Sequence, residues 1–120
     1  MSAESVLYAT LSAATAVTAI VSTRIYPDVV PQEEAVPAIA YARIETDPVI
    51  TMHSAAPVAE TAVLEVVCMH ESRAGAEALG DVVRDALAAA RFRILGRSSQ
   101  YDDEQQLWGA VLSVEKFVNL

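Results

Sequence analysis

The sequence has a single cysteine and little positive charge, and each scarcity argues against a class of protein. With Cys68 as its one cysteine, the chain cannot form an internal disulfide, so a disulfide-stapled secreted domain is excluded. Eight Lys and Arg against sixteen Asp and Glu give a net charge of −8. Affinity for nucleic acid comes mainly from cations that neutralise phosphates. We therefore expect a reducing compartment and no specific binding of nucleic acid.

Glycine is also scarce, and no catalytic or metal-binding motif is present. The four glycines are isolated, at positions 75, 80, 96 and 109, which excludes a glycine-rich phosphate loop. Cys68, His53 and His70 lack metal-ligand spacing relative to the acidic run Asp102-Asp103-Glu104, which has no EF-hand pattern either. Cys68 and His70 lie two residues apart on a predicted strand, so they share a side and could pair as nucleophile and base. Because no orienting acid accompanies them, we expect no catalytic residue, no cofactor and no metal.

The longest apolar segment, Val6 to Val21, is too short and too rich in alanine and hydroxyl side chains for a typical membrane span, which needs about 20 strongly apolar residues. No basic residue precedes it, so it also lacks the charged start of a signal peptide. We interpret it as a core helix of a soluble protein.

The remaining pattern predicts one α+β domain over residues 1–120, 53% of them apolar. The predicted order is α-β-β-β-α-β-β, a mainly antiparallel four- to five-stranded sheet with two helices packed on it. Small residues at Ala40 and Ala42 predict that a helix lies against that face of their strand. The predicted elements are a helix over Ala3–Val21, strands over Arg24–Tyr26, Ala38–Thr46 and Thr61–His70, a helix over Arg73–Ala90, a short strand at Ile94-Leu95, a turn over Asp102–Gln106 and a last strand over Leu107–Val118. Both faces of Thr61–His70 are largely apolar, which predicts a central strand.

The segment Asp47 to Glu60 is the least regular part of the chain. We interpret it as a long hairpin connection whose first part extends the preceding strand. Its apolar residues Val49, Ile50 and Met52 either form an exposed contact surface or fold back on the core. The pattern leaves both alternatives open.

Two charged groups are candidates for contacts with partners. Arg91, Arg93 and Arg97 follow the second helix, where they either complement its dipole or form salt bridges with a neighbouring subunit. The acidic run Asp102-Asp103-Glu104 is either a solvated turn or a charged patch for a partner.

The spacing of several short motifs resembles the tail-terminator, or tail-completion, proteins of long-tailed phages and of phage-like particles such as gene transfer agents. The motifs are Arg24-Ile25-Tyr26-Pro27, the strand opened by Pro37 that holds Tyr41 and Arg43-Ile44, the central strand ending near Cys68, the alanine-rich second helix, and the acidic turn before a leucine-containing last strand. The resemblance covers nearly the whole chain.

The resemblance implies a structural virion protein with no enzymatic activity. Such proteins form rings, typically hexamers, that end the tail tube at the head-proximal end of the tail. Their partners are the tail tube protein and the head-completion (neck) protein, and DNA passes through the lumen. The particle assembles in the host cytoplasm. The candidate ring and tube interface comprises Val49, Ile50, Met52, Arg91, Arg93, Arg97, Asp102, Asp103 and Glu104.

Three other functions compete with this reading. One is a small-ligand-binding α+β domain with a pocket between helix and sheet. Another is a different head–tail connector, such as a head-completion or tail-tube subunit. The third is an enzyme built around Cys68 and His70.

Overall fold

A computed structural model describes residues 2–28, 30, 36–50 and 56–119. These residues form three helices and five strands. Their bounds are α1 Ala3–Ala13, α2 Thr15–Val21, β1 Ile25–Pro27, β2 Ala38–Ile50, β3 Pro57–His70, α3 Arg73–Ala89, β4 Arg93–Asp102 and β5 Leu107–Asn119. The α+β class is confirmed, whereas the helix number differs from the predicted two.

The five strands form one mixed sheet in the order β1-β2-β3-β5-β4. β3 lies at the centre, as its two apolar faces predict. β1 pairs with β2 in parallel, and the other pairs are antiparallel. The parallel β1–β2 pair was not predicted, and it makes the sheet mixed.

The predicted helix Ala3–Val21 is two helices, bent by 83° where they meet. Ala14, between them, has an extended backbone with φ −79° and ψ 110°. The break keeps Leu7 and Val17 buried on either side of it, so the helical period of apolar residues continues across it and conceals it. Within the described part of the chain, no single helix has the length and hydropathy of a membrane span; α1 and α2 meet those criteria only when taken together across the bend.

The three helices cover one face of the sheet and enclose the core. The largest fully buried side chains come from all layers: Leu7, Leu11, Ile39, Leu64, Leu79, Leu87 and Leu112. The prediction that a helix packs on the Ala40 face of β2 was wrong. Ile39 belongs to the helix-side core, and Tyr41 on the same face contacts Tyr8 of α1, with ring centroids 6.4 Å apart. Ala40 faces the other way, beside Val67 of β3.

β2 and β3 continue together beyond the ends of β1 and β4, with β5 beside β3 as far as Asn119. We call residues 44–50 and 57–60 the arm. Asp47 pairs with Thr61, and Val49 pairs with Ala59, so much of the predicted connection is regular strand. All of residues 44–50 are exposed. The arm contributes to an elongated subunit with extents of 52 × 29 × 24 Å.

Candidate assembly surfaces

The arm carries apolar side chains that lie outside the core. Val49 is 41% exposed and Ile50 is 56% exposed, and Val58 on the facing strand is 43% exposed. These side chains do not fold back on the sheet, which favours the contact-surface alternative for this segment. Met52, the third predicted residue here, lies outside the described residues.

One arginine ties the base of the arm to the helical layer. The guanidinium of Arg43 donates to Glu60 at 2.9 Å and to Thr46 at 3.0 Å, and it also donates to Glu4 of α1. Burial tends to raise the pKa of Glu4, but the hydrogen bonds and charge of Arg43 outweigh it and leave that pKa below its ordinary value. These bonds link the two strands of the arm to α1. Sequence reasoning missed this role because Glu4 and Arg43 lie 39 residues apart.

The three candidate arginines do not form one cluster. Arg91 occupies the turn after α3 with φ 68°, and Arg93 begins β4 with its side chain 76% exposed and its nearest carboxylate, Glu115, at 3.8 Å. We call Arg91 and Arg93 the basic corner. Arg97 instead turns back across α3, where it reaches Asp81 at 2.7 Å and Glu77 at 2.8 Å.

The position of Arg97 depends on a glycine in α3. A Cβ at Gly80 would lie 2.7 Å from Nη2 of Arg97, so the guanidinium crosses the helix where no side chain stands. Its hydrogen bond to Asp81 raises the pKa of Arg97 despite partial burial. Arg97 therefore joins β4 to the middle of α3 within the subunit, and it does not complement the helix C-terminus.

The acidic run forms the rim of a cleft. The Asp102 carboxylate accepts hydrogen bonds from the backbone N–H groups of Glu104 and Gln105 at 3.0 and 3.3 Å, which shapes the predicted turn. Together with Asp103, these side chains border a cleft of about 660 Å³. Its floor is formed by apolar or small residues of the sheet face opposite the helices, including Ala40, Val67, Met69 and Gly109.

The cleft and the arm lie at opposite ends of the strands. Met69, Gly109 and Gln100 form one row across β3, β5 and β4 beside the cleft. The row of Val49 and Ala59 lies at the other end of the same sheet. One end of the subunit therefore carries the acidic run, and the far part of the arm at the other end carries the exposed apolar side chains Val49, Ile50 and Val58.

The residues that suggested an enzyme do not form an activated pair. Cys68 is fully buried in the core, and burial raises the pKa of its thiol to about 12, so it is protonated at neutral pH. His70 does share its side, as predicted, but its ring lies over Gly75 and its Nδ1 accepts from the Ser72 N–H at 3.2 Å. Among the described residues, no group of three His, Cys, Asp or Glu is placed to hold a metal ion.

The cleft also corrects the prediction of a ligand pocket between helix and sheet. That space is filled by the apolar core, and the 660 Å³ cleft lies on the other side of the sheet.

Residues 5–119 match the family described as tail completion protein gp17. The chain belongs to this family. It is thus a structural protein of the virion tail, which confirms the resemblance seen in the spaced motifs. Its fold is similar to that of a chain in a solved structure described as "Virion of native gene transfer agent (GTA) particle", with a TM-score of 0.77 and 19% identity over 98% of this chain and 95% of that chain. At that identity the likeness shows a shared fold. No curated protein matches the sequence significantly.

Proposed function

We propose that the protein forms a closed ring, of six copies, that ends the tail tube at its head-proximal end. The ring joins the tube to the head-completion (neck) protein and leaves a lumen through which DNA passes. The observation that carries this proposal is membership in the tail completion family over residues 5–119. The geometry of the subunit supports it in three ways.

The two ends of the subunit differ in chemistry. The arm presents Val49 and Ile50 at one end of the sheet, and the cleft presents Asp102, Asp103 and Glu104 at the other. Rotation about a ring axis places every copy of one end on the same rim, when the strands run along that axis. A ring between tube and neck needs two such different rims, one for each partner.

The two edges of the sheet also differ. β4 forms one edge, and on the other edge β1 covers only Ile39 to Tyr41 of β2. A closed ring of identical subunits uses two different patches on each subunit. Unpaired strand edges are natural patches of this kind, since their N–H and C=O groups are ready to pair.

The charge suits a channel through which DNA slides. Six copies at −8 each would carry −48. Carboxylates that line the lumen repel phosphates, and this field favours passage over binding.

The proposal is tested by measuring the mass of the purified protein, alone and with tail tubes that lack their terminator, and by imaging the tubes. We expect a ring of about six copies on one end of each tube. A Val49→Ser/Ile50→Ser double variant should remain folded but lose an axial contact of the ring. Tyr8→Ser is the matched control, because Tyr8 is an apolar residue of similar exposure (45%) outside the arm.

Other outcomes would support the competing functions. Open polymers of the protein alone would indicate a tail-tube subunit. A strict dimer with a co-purified small molecule would indicate a ligand-binding domain, with the 660 Å³ cleft as its site. A protein that stays monomeric and leaves tube ends bare would contradict the ring.

A further inference from the structure

We propose that the basic corner of one copy, Arg91 and Arg93, binds the acidic outer edge of the next copy's arm, Glu45 and Asp47. The contact would join β4 of one subunit to β2 of its neighbour. This inference rests on the proposed ring and specifies which two edges close it.

The pairing of the strands places the two partners at the same level of the sheet. Arg93 pairs with Glu115, Glu115 pairs with Val63, and Val63 pairs with Glu45. These four residues form one row across β4, β5, β3 and β2, with Arg93 and Glu45 at its ends. Directly paired residues point to the same face of a sheet, so the two side chains also share a face.

Ring symmetry places residues of the same level in neighbouring subunits at the same height. Rotation about the ring axis moves no atom along that axis. In a ring whose strands run along the axis, Arg93 of one copy therefore stands at the height of Glu45 in the next. Directly opposed side chains on paired strands have Cβ atoms about 5 Å apart, well within reach of an arginine and a glutamate.

Strand direction is consistent with the same contact. β2 is antiparallel to β3, β3 to β5, and β5 to β4, so β4 is antiparallel to β2 within one subunit. Rotation about an axis along the strands preserves direction, and the edges of neighbours would meet in the antiparallel arrangement that the rest of this sheet uses.

A second pair follows from the next row. Asp47, Thr61 and Phe117 form the row two residues farther toward the arm tip. Arg91 lies in the turn just before β4, and it adds a second cation at the corner where β4 begins. The contact thus has two cations on one side and two carboxylates on the other.

All four groups are available for it. Among the residues that the structure describes, none forms a strand on the outer side of β2 beyond Tyr41, since β1 pairs only with Ile39 to Tyr41. Glu45, Asp47 and Arg91 are exposed, and within the described residues no ion pair involves any of them, while Arg93 has only the 3.8 Å contact with Glu115. Charge complementarity across an interface fixes its register and rejects wrong partners.

A charge swap tests the contact. Arg91→Glu/Arg93→Glu and Glu45→Arg/Asp47→Arg should each weaken ring formation on tail tubes at least about tenfold, because like charges then face each other. Combining all four changes should restore rings, since the charges are again opposite. Arg84→Glu is the control, because Arg84 lies exposed on α3 with Asp81 and Asp85 as its partners.

Disulfide trapping gives a second readout on assembled rings. Within one chain, positions 45 and 93 are three strand spacings apart, roughly 14 Å, which is too far for a disulfide. Arg93→Cys/Glu45→Cys should therefore form ladders of cross-linked chains up to the ring size, and either single cysteine should not. The native Cys68 is buried.

The outcomes separate this contact from the ring itself. The contact would be overturned if the wild type forms rings and both charge-reversal variants form them equally well. It would also be overturned if the four-fold swap fails to restore rings and the double-cysteine variant forms no ladders. In either case the ring itself would stand. A wild-type protein that forms no ring on tubes would overturn both.

Discussion

Replacing Gly75 by alanine tests how His70 packs at the start of α3, because two effects of similar size oppose each other there. The Ser72 side chain caps the helix and accepts from the Gly75 N–H at 3.0 Å. Alanine in a helix is favoured over glycine by about 1 kcal/mol. A Cβ at Gly75, however, would lie 2.4 Å from Nδ1 and Cε1 of His70. The ring must move, which loses its hydrogen bond with Ser72, about 1 kcal/mol, and strains its rotamer by about 1 kcal/mol.

We therefore expect Gly75→Ala to destabilise the protein by about 1 kcal/mol. In a His70→Ala background the obstacle is absent, and the same change should stabilise it by about 1 kcal/mol. Urea unfolding of the four proteins in this double-mutant cycle measures both values. Ala78→Gly, at an exposed position of the same helix, calibrates the helix term. An equal effect of Gly75→Ala in the two backgrounds would refute the packing of His70 on Gly75.

Three further predictions concern the arm, the thiol and the core. Arg43 holds the pKa of Glu4 below its ordinary value, so this contact stabilises the fold fully above the unfolded pKa of about 4.3, and the stabilisation is lost as pH falls through the folded pKa. The difference in unfolding free energy between wild type and Arg43→Met should therefore shrink when urea unfolding is repeated at successively lower pH. Cys68 should resist thiol reagents in the native protein. Its pKa of about 12 also means that stability declines as pH rises above the unfolded value of about 8.5, a slope that Cys68→Ala should remove. Leu64→Ala should cost about 2–5 kcal/mol, whereas Ile50→Ala, at a site 56% exposed, should cost less than about 1 kcal/mol in the same unfolding assay.

The elements that sequence alone predicts well are those whose burial leaves a local pattern. In α3, Leu79, Val83 and Leu87 repeat at helical spacing and are all fully buried. In β3, apolar residues occupy both faces, and the strand is central. The turn after Asp102 is predicted by the aspartate itself, whose carboxylate accepts hydrogen bonds from the N–H groups of two following residues. Each of these signals depends on residues a few positions apart.

The features that sequence does not reveal depend on distant partners or on exposed backbone. The break at Ala14 leaves the buried period intact, so no residue marks it. Arg97 is one of three similar arginines in sequence, and only the fold brings it to Glu77 and Asp81, 20 and 16 residues away. The arm has no buried face on residues 44–50, so the alternation that marks a half-buried strand is absent. Its strand character comes from pairing with β3, which a local pattern does not record.

The lateral contact that would close the ring also decides which part of each subunit lies on which rim. The proposed lateral contact uses charged groups on the sheet edges, at the level of Glu45 and Arg93. The arm tip beyond this level and the acidic cleft at the other end of the strands remain outside it. Six rotated copies would thus present six sets of Val49 and Ile50 on one rim and six acidic clefts on the other, without any second protein. An acidic rim favours a basic partner surface and rejects an acidic one, whereas an apolar rim selects by burial. In this arrangement the contacts between neighbouring subunits bury the β2 and β4 edges, and the two ends of the strands stay free. The two rims of the ring are therefore chemically different, and each selects a different partner, the tube or the neck.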